Sequence, residues 1–288
     1  MEGVRLEDVR RALESRDPAL AQLVKDLANV DALPPSSEPQ EQGALTYAAF
    51  IAELNSWSFA YKSDEEKRAY RQASLEDLVA HDRAPERLLL HEIIMHLWQS
   101  PGAYERTQLL EIIATCPLKW GPWKGIKAIF KHAEEHGDVE LLAAISARID
   151  SERSTGSYGR EVSGGTKTYM VRRAWRYLRR VGERFPSRYA DVAVEFMRFY
   201  PDSTNWRRTW VMNHIMFHQT RRYNQLAFNF WSLPTNKLKD RAYAEAWKRT
   251  PRPLFTLLER ARSEHARSFA VEALKAEMAE KESDHSAE

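Results

Sequence analysis

From Pro85 onward the chain is written almost continuously in a helical period, and its apolar stretches arrive in pairs. Pro85–Gln99 and Gly102–Thr115 repeat apolar residues every three or four positions and meet at Ser100–Pro101. Trp120–Glu135 and Val139–Ile149 form the next pair across His136–Asp138, where Gly137 suits the position just past a helix end. Lys167–Glu183 and Ser187–Phe199 pair across Phe185–Pro186, and a fourth pair opens at Asn205–His218. The pairs start near residues 85, 121, 167 and 203, and the longest interval contains the Gly/Ser-rich stretch SERSTGSYGREVSGGT at 151–166. Helix pairs recurring at such intervals bury their apolar faces on one another, which predicts an all-α, irregular HEAT-like helical-hairpin solenoid. The plainer alternative is an irregular helical bundle.

The flanking segments are less regular. Helices are expected over Leu6–Glu14, from Asp17–Pro18 to Asn29, and near 45–55, 64–72 and 75–81, with Ser63 and Asp64 opening the 64–72 helix. The stretch ALPPSSEPQEQG at 32–43 reads as a linker. Past His218, YNQLAFNFWSLPTN (223–236) has no clean period and reads as an aromatic-rich connector. Helices then resume at Leu238–Arg249, Pro253–Ala261 and Glu264–Glu280. The expected organisation is an N-terminal helical region over 1–80, helical repeats over 81–280 and a frayed tail over 281–288.

No apolar run approaches the length of about 18 residues that a spanning helix needs, so no membrane association is expected. The first seventeen residues are charged throughout and lack the apolar core of a signal peptide. Cys116 has no second cysteine to pair with. A cytoplasmic, bacterial-type setting is the expectation. The net charge of +2 conceals a division. Residues 1–150 hold 17 Lys/Arg against 25 Asp/Glu, whereas residues 151–250 hold 20 against 8. Such asymmetry governs long-range fields and the choice of partner more than it governs fold.

Much of the excess sits in KTYMVRRAWRYLRRVGER, residues 167–184. At about 100° per residue, Arg172, Arg173, Arg176, Arg179, Arg180 and Arg184 fall within an arc of roughly 140°, and Met170, Val171, Ala174, Trp175, Tyr177, Leu178 and Val181 fill the rest. Within the segment only Glu183 is acidic. Three things could balance this comb: a phosphate backbone, whose oxygens match the guanidinium fork; acidic side chains elsewhere in the chain; or screening by salt. The basic surroundings extend to Arg207, Arg208, Arg221 and Arg222, interleaved with Trp206, Trp210 and Tyr223. Such aromatics stack bases in single-stranded nucleic acid, though each is also an ordinary core residue.

Catalytic and metal-binding patterns are weak. His214 and His218 share a helical face at four-residue spacing, but Ile215 and Met216 stand where an HExxH motif needs its acid. Cys116 has no local base to activate it, and GSYGREVSGG is neither a dinucleotide-binding loop nor a P-loop. A base-excising enzyme on a helical-repeat frame would need a carboxylate beside an aromatic cleft; Asp202 and Asp240 are the nearest in sequence. No cofactor or metal and no small-molecule substrate is inferred.

AEEHGDVELLAAISARID (133–150), TYMVRRAWRYLRRVGERFPSRYADVAVEFMRFY (168–200) and TWVMNHIMFH (209–218) together resemble the helical-repeat region of large uncharacterised bacterial proteins. Some of those carry a WGR domain and are described as molybdate-regulator-like. The likeness spans roughly residues 85–280; no WGR segment is recognisable, and there are no catalytic residues to carry over. It implies a HEAT-like architecture and a link to nucleic-acid-associated systems. The expectation is a non-enzymatic module that engages DNA or RNA phosphates through Arg172, Arg173, Arg176, Arg179, Arg180, Arg207, Arg208, Arg221 and Arg222, largely independent of sequence. The alternative is a protein-interaction scaffold within a multi-subunit complex.

Overall fold

The periodic apolar positions fold as helices, and no strand occurs, among the residues described by the computed structural model: 3–30, 43–81, 83–154, 161–218 and 237–286. None of these helices is long and apolar enough to cross a membrane. The chain separates into two compact units, Met1–Ile129 with Gly159–Ser163, and Phe130–Tyr158 with Gly164–Glu288.

The first unit contains α1 (Leu6–Glu14), α2 (Leu20–Asn29), α3 (Tyr47–Leu54), α4 (Trp57–Tyr61), α5 (Asp64–Ala80), α6 (Leu90–Gln99), α7 (Ala103–Thr115) and the start of α8 (Pro122–His136). The α2 helix opens later than the Asp17–Pro18 signal suggests: Asp17 accepts a hydrogen bond from the Ala19 amide, so these residues make a turn that leads into the helix. The segments expected at 64–72 and 75–81 are one helix, α5. Ser63 and Glu66 start it with reciprocal side-chain-to-backbone hydrogen bonds, and neither Gly nor Pro interrupts the stretch between the two expected segments. Its Leu78 packs with Tyr47, Phe50 and Leu88 in a small core. Beside that core Arg87, 2% exposed, donates to both carboxylate oxygens of Glu161 at 2.8 and 3.0 Å. Glu161 also accepts from the Trp120 amide at 2.6 Å. Gly121 has a φ of +99°, and a side chain there would collide with the Arg87 carbonyl, so glycine is required at this turn.

The second unit continues with α9 (Val139–Ser154), α10 (Gly164–Arg184), α11 (Pro186–Arg198), α12 (Val211–Met216), α13 (Lys237–Asp240), α14 (Ala244–Lys248), α15 (Arg252–Arg260) and α16 (Glu264–Ser286). Gly137 has the expected left-handed conformation, and Asp138 caps α9 through the Leu141 amide. The α11 helix packs against α9, α10, α14 and α15 and buries Tyr189, Ala190, Val192, Ala193, Val194, Phe196 and Met197, so apolar contact surrounds more than one of its faces. Two helices expected to be long are broken. Asn205–His218 resolves into a 3₁₀ turn at Trp206–Arg208 followed by α12. Leu238–Arg249 divides into α13 and α14, because Ala242 gives its amide to the Ile215 carbonyl and Tyr243 takes a left-handed φ of 52°.

Candidate nucleic-acid interface

Along α10 the buried positions are Lys167, Met170, Val171, Ala174, Leu178, Val181 and Gly182, a stripe at three- and four-residue spacing that faces α9 and α11. Arg172, Arg176, Arg179, Arg180 and Arg184 are exposed on the other side, and Arg173, Trp175 and Tyr177 form half-buried flanks. Lys167 is wholly buried and bonds Glu152 of α9 at 3.0 Å, so it belongs to the packed stripe rather than to the basic face. At Gly182 a methyl group would sit 2.2 Å from the Tyr243 ring, and the Tyr243 hydroxyl donates to the Arg179 carbonyl. The missing side chain at 182 lets that ring lie on the helix.

The protein's own acids balance part of the comb. Arg173 bonds Glu134 at 2.5 Å and donates to the Tyr169 hydroxyl at 3.0 Å; Arg180 lies 4.0 Å from the same Glu134 carboxylate. Arg179 bonds Glu183, one turn on, at 2.6 Å. Among the described residues Arg172, Arg176 and Arg184 have no acidic partner within salt-bridge range. Arg176 donates to the Arg172 carbonyl of its own helix, while the Arg172 guanidinium lies 5.1 Å from the Trp210 ring centre. A ring orients a guanidinium without cancelling its charge.

Trp210 owes its position to a buried carboxylate that sequence reading passed over. Asp150, at 0% exposure, accepts from the amides of Trp210 and Val211 and from the Tyr200 hydroxyl, all at 2.8–3.0 Å. Burial pushes the Asp150 carboxyl above its ordinary range, and these hydrogen bonds pull it part of the way back. The carboxylate starts α12 and presents the Trp210 indole to Arg172. Nearby, Arg153 donates to the Arg208 carbonyl at 3.3 Å, and Arg207 and Arg208 are exposed. Arg221 and Arg222 lie outside the described residues, as do the whole of the expected connector at 223–236 and positions 155–160 of the Gly/Ser-rich stretch.

The remaining candidates have structural surroundings. His214 is buried against the Trp175 ring, 4.7 Å between centres, and burial, helped by His218, lowers its pKa to about 2. His218 is lowered by burial and by Arg179. Both are therefore neutral aromatic packing groups near pH 7. Asp202 accepts from the Glu264 amide at 2.7 Å and so caps α16; Asp240 is half-buried on α13. Cys116 is buried at the end of α7.

Comparison with protein-family models, with curated proteins and with solved structures yields no match to this chain.

Proposed function

We propose that the chain is a non-enzymatic helical-repeat module, HEAT-like in its stacked hairpins and related to the bacterial repeat proteins it resembles, that holds DNA or RNA by its phosphates. The observation that carries this reading is the exposed run of Arg172, Arg176 and Arg184 on α10, which no acid among the described residues neutralises. Arg207 and Arg208, exposed close in sequence to the Trp210 ring beneath Arg172, add to it. Arg173, Arg179 and Arg180 are secondary, because Glu134 and Glu183 already occupy them. Phosphate contact of this kind is largely independent of sequence, since backbone phosphates carry no base identity. The test is fluorescence anisotropy with labelled single- and double-stranded DNA and RNA at about 50 mM salt, where phosphate contacts are strong. Saturable binding that weakens in Arg172→Glu/Arg176→Glu supports the reading. Undetectable binding, or a variant that binds as well as the parent, defeats it.

One observation favours a second reading, a protein-interaction scaffold. On α4 of the first unit, Trp57 and Tyr61 are stacked 6.2 Å apart at 80% and 82% exposure. Exposed aromatic pairs are frequent anchors of protein interfaces. Light scattering coupled to size exclusion and co-purification decides between the two: a stoichiometric protein complex free of nucleic acid favours the scaffold.

A further inference from the structure

The last turns of α8 carry His132, Glu135 and His136, all exposed, whose potential ligand atoms lie within 4.8 Å of one another. Spacings of three and four residues place these side chains on one side of the helix. The two imidazole rings are stacked, 5.8 Å between centres and 25° between planes. His136 Nδ1 is 3.0 Å from the His132 carbonyl and donates to it, which leaves Nε2 of the neutral ring with its lone pair available to a cation. A ring nitrogen held by a backbone carbonyl is a common support for metal-binding histidines. The neighbouring Glu134 is engaged by Arg173 and Arg180, so Glu135 is the carboxylate that completes the set.

We infer that His132, Glu135 and His136 form a surface site for a divalent transition-metal ion of the zinc class, bound by two imidazole nitrogens and one carboxylate oxygen. Nitrogen donors select Zn²⁺, Co²⁺, Ni²⁺ or Cu²⁺ over Mg²⁺ and Ca²⁺, which take oxygen ligands. At metal–ligand distances of about 2.1 Å, tetrahedral donors sit about 3.4 Å apart. Exposed side chains reach that separation by rotation about their own bonds, with the backbone unmoved. Three protein ligands leave a coordination position for water or for a partner's side chain. The ion would fasten the end of α8 beside the Glu134 ion pairs. This inference is independent of the nucleic-acid reading.

Isothermal titration of Zn²⁺ into the full chain at neutral pH tests it, with Co²⁺ visible absorption as a second readout of the ligand set. The expected result is saturable binding of one ion, weakened about tenfold or more in His136→Ala and in His132→Ala and less in Glu135→Gln. All three side chains are exposed, so the variants keep the fold, which circular dichroism verifies. Absence of saturable binding, or an unchanged affinity in His132→Ala/His136→Ala, overturns the inference.

Discussion

Asp150 serves three buried donors that lie 50, 60 and 61 residues further along the chain. Asp150→Ala strands the Tyr200 hydroxyl and two amides, at a cost of about 3 kcal/mol or more in urea denaturation, and Asp150→Asn loses less because one oxygen remains. Arg87 and Glu161 make the corresponding arrangement in the first unit; Arg87→Met leaves a largely buried carboxylate without its partner and costs about 3–5 kcal/mol. His214 gives the protein a pH dependence whose sign follows from its lowered pKa. The unfolded chain takes up a proton below about pH 6.5 while the folded ring does not, so this contribution is present above that pH and is lost as pH falls towards 2. Between pH 7 and pH 5 His214 alone accounts for about 2 kcal/mol of lost stability. His214→Phe keeps the ring packed on Trp175 and flattens that part of the unfolding-versus-pH curve.

At the scale of elements, α10 is one of the clearest cases of sequence dictating structure. Its apolar positions recur at helical intervals, so the buried stripe and the basic face follow from counting residues. The partners of its arginines do not. Glu134 lies 39 residues before Arg173, and only the packing of helices brings them together. Gly182 is similar: within the sequence it is an unexplained glycine in a helix, whereas its neighbour in space is Tyr243. Gly182→Ala gains up to about 1 kcal/mol of helix propensity but forces that ring away, for a net loss of about 1–2 kcal/mol. A lower melting temperature is expected, and in a Tyr243→Ala background the same substitution should no longer destabilise and should show the propensity gain. The breaks at 209–210 and 241–243 were equally hidden, because the groups that fix them, Asp150 and the Ile215 carbonyl, are distant in sequence.

For the molecule as a whole, the proposed polyanion contact has a distinctive dependence on salt. Arg172, Arg176 and Arg184, which have no acidic partner among the described residues, would meet three phosphates and give a slope of log affinity against log salt of about −3 on duplex DNA. Glu134 opposes this by holding Arg173 and Arg180. Glu134→Gln therefore strengthens binding and steepens the slope by up to about two, measured by anisotropy across a salt series. A scaffold that binds through Trp57 and Tyr61 would be indifferent to that substitution. The charge division along the chain was plain from composition, yet composition overstated the free charge, since a carboxylate far away in sequence cancels part of it.

The order of residues by itself determined that this protein is helical, where most helices lie, and which side of α10 is basic. These properties depend on periodicity and capping within a few turns of chain. The tertiary structure alone decided which guanidinium groups remain unneutralised, where α12 begins, and that an aspartate, a lysine and an arginine are buried. Charge pairing and burial are set by distances across the fold, and residues 39 to 74 positions apart have no local pattern through which to announce that they will meet.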